Sequence, residues 1–547
     1  MTDAENSLPT LFDPLSDSQP RALPLLTLTD LRIAESQAAA TFPEHTLMAR
    51  AGHAAARWLL ERIAADTSVT KSQQRVWLIA GPGNNGGDAL VVATELHKAG
   101  IAVEVCMPVE VRPADARWAL DAARAAGVPI DAAPPASLDG YGWLVDGMFG
   151  IGLARPLDGV FAALARQLSQ RTKTRPTQGA VLALDVPSGL DSDTGAVIGD
   201  VNGAAAVHAT HTITFIGAKP GLFTAQGRDL AGRVTVAPIG LAAGMDGDGS
   251  PAAGTGAPRA AIQLSAPALF GPFMPPRDFA TNKGTFGSLA VVGGDTGMCG
   301  APILAARAAL YTGAGKVHVA LLGEGAPPYD PPHPELMLHP IDTLPLDSMD
   351  ALAIGCGMGH GERATRVLHD VLPLDVPKLF DADALNLIAQ DPALAAEVTA
   401  RGVQGDPCIL TPHPLEAARL LGSDAASVQR DRLAAARALA ARFASVVVLK
   451  GVGTLIAAPD GRLALNPTGN AALATGGTGD VLGGIIGALL AQRLPRFEAA
   501  LAGVYLHGLA ADTLSAQGDG PAGLTAGELA PMVRTLLNRL FYPATLA

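Results

Sequence analysis

The chain has 547 residues, 48% hydrophobic and 16% charged, with a net charge of −12. That length supports two large α/β domains with substantial cores, and the acidic balance argues against a nucleic-acid partner, which calls for a basic face. No apolar run reaches the ~18–20 residues of a membrane span. The opening Met1-Thr-Asp-Ala-Glu-Asn lacks the basic and apolar segments of a signal peptide. The cysteines (Cys106, Cys299, Cys356, Cys408) are scattered with no Cys-x-x-Cys, which indicates neither a zinc site nor a disulfide framework. A protein of a reducing, cytoplasmic compartment is expected, with no membrane partner.

Residues 1–25 are rich in Pro, Ser and Asp and are expected to be poorly ordered. Apolar residues at helical spacing then predict helices from about Thr29 to Ala40 and from Leu47 to Ala65. Next comes Arg75-Val-Trp-Leu-Ile-Ala-Gly-Pro-Gly-Asn-Asn-Gly-Gly-Asp88, a buried strand, a Gly-rich turn and a helix start. Gly81, Gly83 and Gly86 satisfy G-x-G-x-x-G, so a redox dinucleotide fold is the first idea. Such a fold expects an acidic residue at the end of the following strand. That strand, Ile101–Met107, runs into Pro108 with Glu104 inside it, and the fit is poor. Two amides and a carboxylate beside an anion-binding turn remain to be explained.

Two more strands end in the same manner. Trp143-Leu-Val-Asp146 runs into a Gly-rich loop, and Ala180-Val-Leu-Ala-Leu-Asp185 into Val-Pro-Ser188-Gly. Ligands of open parallel sheets bind outside the carboxyl ends of strands. One strand-end Asp is usually a cap or turn residue; three Gly-flanked polar clusters favour a site. Segments His211–Ile216 and Arg233–Ile239 close this half, and residues 241–260, rich in Gly, Ala, Pro and Ser, read as a linker.

The alternation restarts with Ser288–Gly294, a helix over Ile303–Leu310 and a strand over Lys316–Leu322. Ala351–Gly357 is strand and glycine loop. Lys378-Leu-Phe-Asp381-Ala-Asp383-Ala-Leu-Asn386 sets two carboxylates and an amide after a strand, and Val446-Val-Val-Leu-Lys450-Gly ends a buried strand in Lys. Lys450 reads either as a solvated lysine or as a phosphate contact. His413 lies between two prolines with no second His at metal spacing, so a turn role and a ligand hydrogen bond are both open. In Asn466–Gly484, Gly476-Gly-Thr-Gly-Asp480 precedes an apolar run, Val481–Leu490, that reads as a buried helix. Unpaired N–H groups at a helix start favour an anion such as phosphate; the plainer reading makes Asp480 the helix cap. From about Pro495 the chain reads as helices covering the sheet. There is no P-loop motif and no Gly-x-Ser-x-Gly nucleophile elbow.

In this order, Gly81-Pro-Gly-Asn-Asn-Gly-Gly-Asp88, Asp146-Gly-Met-Phe-Gly-Ile-Gly, Asp185-Val-Pro-Ser-Gly, Gly300-Ala301, Asp381-Ala-Asp-Ala-Leu, Thr411-Pro-His-Pro, Leu449-Lys-Gly and Gly476-Gly-Thr-Gly-Asp480 resemble the bifunctional NAD(P)H-hydrate repair enzymes. The resemblance implies a Rossmann-like three-layer α/β/α epimerase domain (26–240) and a ribokinase-like α/β dehydratase domain (261–547). The first would interconvert the R and S epimers of hydrated NADH or NADPH; the second would dehydrate the S form with ADP, or with ATP. It further implies that Asn84, Asn85, Gly86, Gly87 and Asp88 hold the hydrate, that Gly150, Ile151, Gly152, Leu153, Ala154, Arg155 and Pro156 lie over it, and that Asp185 contacts it; beyond the resemblance, Asp185 is the candidate acid/base. Asn85, Asp146 and Ser188 would ligate potassium. In the second half, Ala301, Gly357, His413 and Asp480 would contact the hydrate, with Asp480 as the base. Lys450, Gly451, Val452, Gly453, Thr454 and Gly479 would bind the nucleotide, with magnesium on its phosphates. A homo-oligomer is expected. Four positions depart from the family pattern: Ala89 and Leu415 replace glycines, Cys356 a proline and Gly147 an alanine. The rival readings are a small-molecule kinase of the same fold and a non-catalytic nucleotide-binding protein.

Overall fold

The structure is a computed structural model. It describes residues 11–13, 15, 22–65, 74–174, 180–199, 204–241, 262–325 and 327–543. The predicted linker, apart from Leu241, and most of the segment 1–25 lie outside the described residues. The chain forms two compact units, built on Leu23–Ile262 and Gln263–Ala547.

The first unit opens with helices α1 (Leu28–Ala39) and α2 (Thr46–Ala65). Thr27 and Asp30 close a reciprocal capping box that sets the start of α1. Strand β1 (Arg75–Ala80), helix α3 (Asn84–Lys98), β2 (Ala102–Cys106), α4 (Ala114–Ala125), β3 (Ile130–Asp131), β4 (Trp143–Gly147), α5 (Gly159–Thr174), β5 (Ala180–Leu184), β6 (His211–Phe215) and β7 (Arg233–Ala237) follow. The strands lie in the order β3-β2-β1-β4-β5-β6-β7 and every pairing is parallel. Phe12, inside the segment expected to be poorly ordered, makes an antiparallel bridge to Val236 of β7. Side chains alternate along β1. Val76, Leu78 and Ala80 share a core with α2, α3 and α4, while Trp77 and Ile79 share another with Phe161, Ala165 and Leu168 of α5. Both faces are covered, which gives the expected α/β/α layering. The strand order reverses between β1 and β4, so a crevice opens at their carboxyl ends. Gly81 and Gly86 bring the turn there together: a Cβ would lie 1.8 Å from Met148 O at Gly81 and 1.9 Å from Gly81 O at Gly86.

In the second unit β8 (Ser288–Gly293), helix α6 (Gly300–Thr312), β9 (Lys316–Leu321), β10 (Met337–Pro340), β11 (Ala351–Ile354), β12 (Lys378–Phe380), α7 (Ala382–Gln390), β13 (Ile409–Leu410), α8 (Pro414–Leu421), α9 (Arg432–Phe443), β14 (Val446–Leu449), β15 (Leu455–Ala457) and β16 (Leu463–Leu465) precede three long helices. These are α10 (Thr478–Ala491), α11 (Arg496–Gln517) and α12 (Ala526–Phe541). From the strand Ile262–Leu264, which lies beside β16, the sheet continues β16-β15-β14-β13-β12-β11-β8-β9-β10; β8 to β14 are parallel, and β15 and β16 antiparallel. Helices α6, α10, α11 and α12 form one core with Leu289, Val291, Val317 and Val319, as expected for helices covering the sheet. The order reverses between β8 and β11; Ala301 lies in the first turn of α6 after the first of these strands, and Gly357 lies in the loop after the second.

The plainer of the two readings of Asp480 is removed: Asp480 does not cap α10. The cap is Gly477, whose φ of +89° suits glycine, and it makes no side-chain cap bond. Asp480 is the third residue inside the helix, because the turn Gly476-Gly477 starts the helix earlier than the apolar run does.

Candidate active sites

A cavity of ≈ 740 Å³ opens at the switch point of the first unit. Asn84, Asn85, Asp88, Gly150, Ile151, Gly152, Leu153 and Asp185 line it. Gly86 and Gly87 are buried in the first turn of α3, and Ala154, Arg155 and Pro156 are not among its lining residues. Helix α3 starts at the cavity with no side-chain cap at Gly83, so its first N–H groups are open to an anion.

The cavity gathers acids. Asp88 is pushed well above the usual carboxylate range by burial, then by the negative charges of Asp185, Glu35 and Asp115. Burial raises Glu35 as well, with Asp185 adding to the effect and Lys219 and Arg32 opposing it. Asp185 follows β5 with φ of +67°, and the buried Lys219 Nζ stands 2.7 Å from its Oδ1.

Below this, Asp146 at the end of β4 is fully buried and accepts from Ser188: Oγ–H donates to Oδ1 at 2.7 Å and N–H to Oδ2 at 2.8 Å. Burial pushes Asp146 up to about 6 against these hydrogen bonds. Asn85 is buried too, and neither Oδ1 nor Nδ2 has a hydrogen-bond partner. A buried carboxamide left unpaired calls for a missing partner. Three oxygen-bearing side chains suit a hard monovalent cation, and the unpartnered Asn85 Oδ1 is the observation that fits one.

In the second unit, a Cβ at Gly357 would lie 3.4 Å from that of Ala301, so the structure brings this pair together. Asp480 is half-buried; burial raises its carboxyl, and a hydrogen bond from the Cys356 thiol opposes the shift. Lys450 Nζ donates to Asp381 Oδ1 at 2.6 Å, so it is an ion-paired lysine rather than a solvated one. Gly479 faces it: a Cβ there would be 3.7 Å from Nζ. Arg432, buried in α9, donates to Leu449 O and Lys450 O and lies against Gly451, fixing the start of the 450–454 loop. Of the two roles left open for His413, the structure shows the turn role. Its Nδ1 accepts from the N–H groups of Leu415 and Glu416 and caps α8, which makes Nε2 the protonated nitrogen. Burial, and then Lys450, lower its pKa, consistent with a neutral ring.

Residues 289–531 match the family model described as NAD(P)H-hydrate dehydratase, and residues 44–221 match that described as YjeF-related protein N-terminus. The bifunctional NAD(P)H-hydrate repair enzyme of Coxiella burnetii is 39% identical over 506 residues, 90% of this chain and 95% of the relative. The chain belongs to the bifunctional NAD(P)H-hydrate repair enzyme family. The Escherichia coli repair enzyme is 37% identical over 472 residues, 85% of each chain. The ADP-dependent (S)-NAD(P)H-hydrate dehydratase of Neisseria meningitidis is 50% identical over 264 residues, 48% of this chain and 88% of the relative.

Among the four departures from the family pattern, Leu415 is exposed, Cys356 is buried against Asp480, and Ala89 and Gly147 face one another. Sequence reasoning passed over Lys219, Glu35 and Glu416. Lys219 had a readable signal: Gly217-Ala-Lys-Pro-Gly221 follows β6 as a further Gly-flanked strand end. Glu35 and Glu416 sit on helices and had none.

Proposed function

We propose that this chain repairs hydrated NADH and NADPH. Its first domain (26–240) epimerises the hydrate, and its second (261–547) dehydrates the S form with ADP, giving AMP and phosphate. The observation that carries the reading is the pair of dissimilar acid sites on one chain: a large carboxylate-lined cavity at an uncapped helix start, and Asp480 in the first turn of α10. A kinase alone has no need of the first.

In the cavity, the N–H groups of α3 and the side chains of Asn84 and Asp88 bind the hydrate's phosphates and ribose. Asp185 exchanges a proton with the ring hydroxyl. The carbon–oxygen bond breaks with the ring nitrogen supplying electrons, and water returns to either face, so no atom is gained or lost. Asn85, Asp146 and Ser188 would hold potassium; a bound cation supplies positive charge beside the substrate's polar groups.

In the second site Asp480 takes the hydroxyl proton as that oxygen bonds to the β-phosphorus of ADP and the bond to AMP breaks. Phosphate is a better leaving group than hydroxide, so elimination with loss of a ring proton restores the dihydropyridine. The Gly477–Gly479 N–H groups and Lys450 face the charge on the transferred group. Magnesium would ride on the nucleotide phosphates, where it neutralises charge; among the described residues no cluster of three His, Cys, Asp or Glu could hold it. No described helix is long and apolar enough to cross a membrane. All four cysteines are free, which supports a cytoplasmic setting; homo-oligomerisation belongs to the proposal and is tested by sedimentation.

The test is recovery of reduced-nicotinamide absorbance from a mixture of hydrate epimers with potassium, magnesium and ADP. Wild type should recover all of it. Asp185→Asn should lose ~10²–10⁴ in epimerisation and recover promptly only the S fraction, and Asp480→Asn should recover almost none. Recovery of the S fraction alone by wild type refutes the epimerase assignment. No recovery with ADP or ATP refutes the repair reading and leaves the kinase.

A further inference from the structure

Asp185 is not a free carboxylate at the edge of a cavity. The Lys219 ammonium beside it is almost fully buried, with 1% side-chain exposure. Its three N–H groups are held by Thr214 Oγ1 at 2.7 Å, Phe215 O at 2.8 Å and the Asp185 carboxylate, with Gly217 O at 3.3 Å. Thr214 and Phe215 end β6, so the sheet itself fixes the ammonium. The Asp185 oxygens are thereby made unequal. Oδ1 meets Lys219 at 2.7 Å and the Phe215 N–H at 3.4 Å. Oδ2 lies toward the Gly150 loop: a Cβ at Gly150 would be 3.1 Å from it, so a glycine there leaves it approachable.

We propose that Lys219 is a positioning residue for epimerisation: it binds Oδ1 of Asp185 in a buried ion pair and leaves Oδ2 as the oxygen presented to the hydrate. The proposal rests on the acid/base reading of Asp185. It also accounts for the crowding of acids. Glu35 from α1, Asp88 from α3 and Asp115 from α4 line the same cavity, with Arg32 and Arg112 as its cations besides Lys219. Among carboxylates so close together, protons tend to be shared. Lys219 bonds directly to one of them and so distinguishes Asp185 from its neighbours. Glu35 and Asp88 are both raised, whereas the ammonium is seated on Asp185. Two kinds of carboxyl group, one ion-paired and one raised by burial, then face one substrate.

The experiment uses the full chain and measures epimerisation in Lys219→Met, Asp185→Asn and the double variant. All four tryptophans (Trp58, Trp77, Trp118, Trp143) lie in the first unit, so a tryptophan-fluorescence melt reports whether that unit is folded. Lys219→Met should lower kcat ~10²-fold or more with KM within about threefold. In the Asp185→Asn background the same change should cost less than about threefold, because the two groups act as a unit. Lys219→Ala should recover at least about tenfold in methylammonium and nothing in tetramethylammonium; this arm decides the matter if Lys219→Met melts below the assay temperature. The proposal is overturned if folded Lys219→Met keeps its kcat, if its loss multiplies onto that of Asp185→Asn, or if methylammonium restores nothing to folded Lys219→Ala. Near-normal turnover by Asp185→Asn overturns the acid/base reading itself, and the proposal with it, a result distinct from the other three.

Discussion

Gly147 and Ala89 provide a sharp quantitative test of the first unit. A Cβ added at Gly147 would lie 2.5 Å from the Ala89 Cβ, 2.9 Å from Ile79 O and 3.1 Å from Asn85 O. Only one methyl fits between β4 and α3, and here α3 carries it. Gly147→Ala overpacks this contact and should cost about 1–3 kcal/mol. Ala89→Gly should cost about 2 kcal/mol, about 1 for glycine in a helix interior and about 0.8 for the lost buried methyl. Independent sites would give a double variant worse by the sum, about 3–5 kcal/mol. The geometry predicts about 1 kcal/mol instead, because the methyl is moved rather than added and the worst overlap disappears. Urea denaturation followed by tryptophan fluorescence measures all three variants on this unit. A double variant whose loss equals the sum of the singles within about 0.5 kcal/mol refutes the reasoning. Asn85 O is one of the three neighbours, so Gly147→Ala should also lower epimerisation and the second change should restore it.

Glu416 is buried beneath His413, and burial raises it from its ordinary 4.5 to about 7. A carboxyl raised on folding contributes stability that is complete below pH 4.5 and lost as pH rises through 7, a loss of about 3 kcal/mol. Glu416→Gln should therefore gain in melting temperature over wild type as pH goes from 5 to 8, by calorimetry of the second unit; a pH-independent difference contradicts the assignment. Asp381→Asn strips the partner from Lys450 and should destabilise the same unit by about 3–5 kcal/mol, whereas a loss below about 1 kcal/mol would mean the ion pair is solvated. If Asn85 Oδ1 holds potassium, salts of potassium should raise the tryptophan-fluorescence melt of wild type above that in tetramethylammonium salts, and Asn85→Leu should abolish the difference; an equal rise in both proteins removes the cation from this site.

Local chemistry was legible where one segment carries it. The Gly-flanked strand ends Gly81–Asp88, Asp146–Gly150 and Asp185–Ser188 could be read because turn glycines and strand periodicity lie within a few residues of each other, and the structure gathers all three at one cavity. Pairings made across the fold could not be read. Lys450 looked equally like a solvated lysine because its partner, Asp381, is on a separate loop. Cys356 stood out only as a replacement of the family's proline, and its contact with Asp480 exists only because α10 returns to the β11 loop. Ala89 and Gly147 looked like two separate departures, and only their facing positions make them one exchange. The plainer alternative for Asp480, a helix cap, could not be set aside from the sequence alone, because the apolar run marks where α10 becomes buried, not where it begins.

The two units use a lysine–aspartate pair to different ends, and the difference follows the chemistry each has to do. In the first, Lys219 is bonded to the aspartate that faces the cavity, which on the proposed reading fixes the orientation of the acid/base carboxylate. In the second, Lys450 is bonded to Asp381 instead, and Asp480 is left with a neutral thiol donor and a raised pKa. On the proposed reading, a carboxylate shifted upward is a stronger base toward a hydroxyl, and a lysine anchored beside it keeps its charge available to an arriving phosphoryl group. Moving the lysine's partner from Asp381 to Asp480 would weaken both functions at once. Asp381→Asn is therefore expected to slow dehydration through kcat, as Lys450 loses the anchor that positions its charge, while leaving epimerisation by the same molecule unchanged.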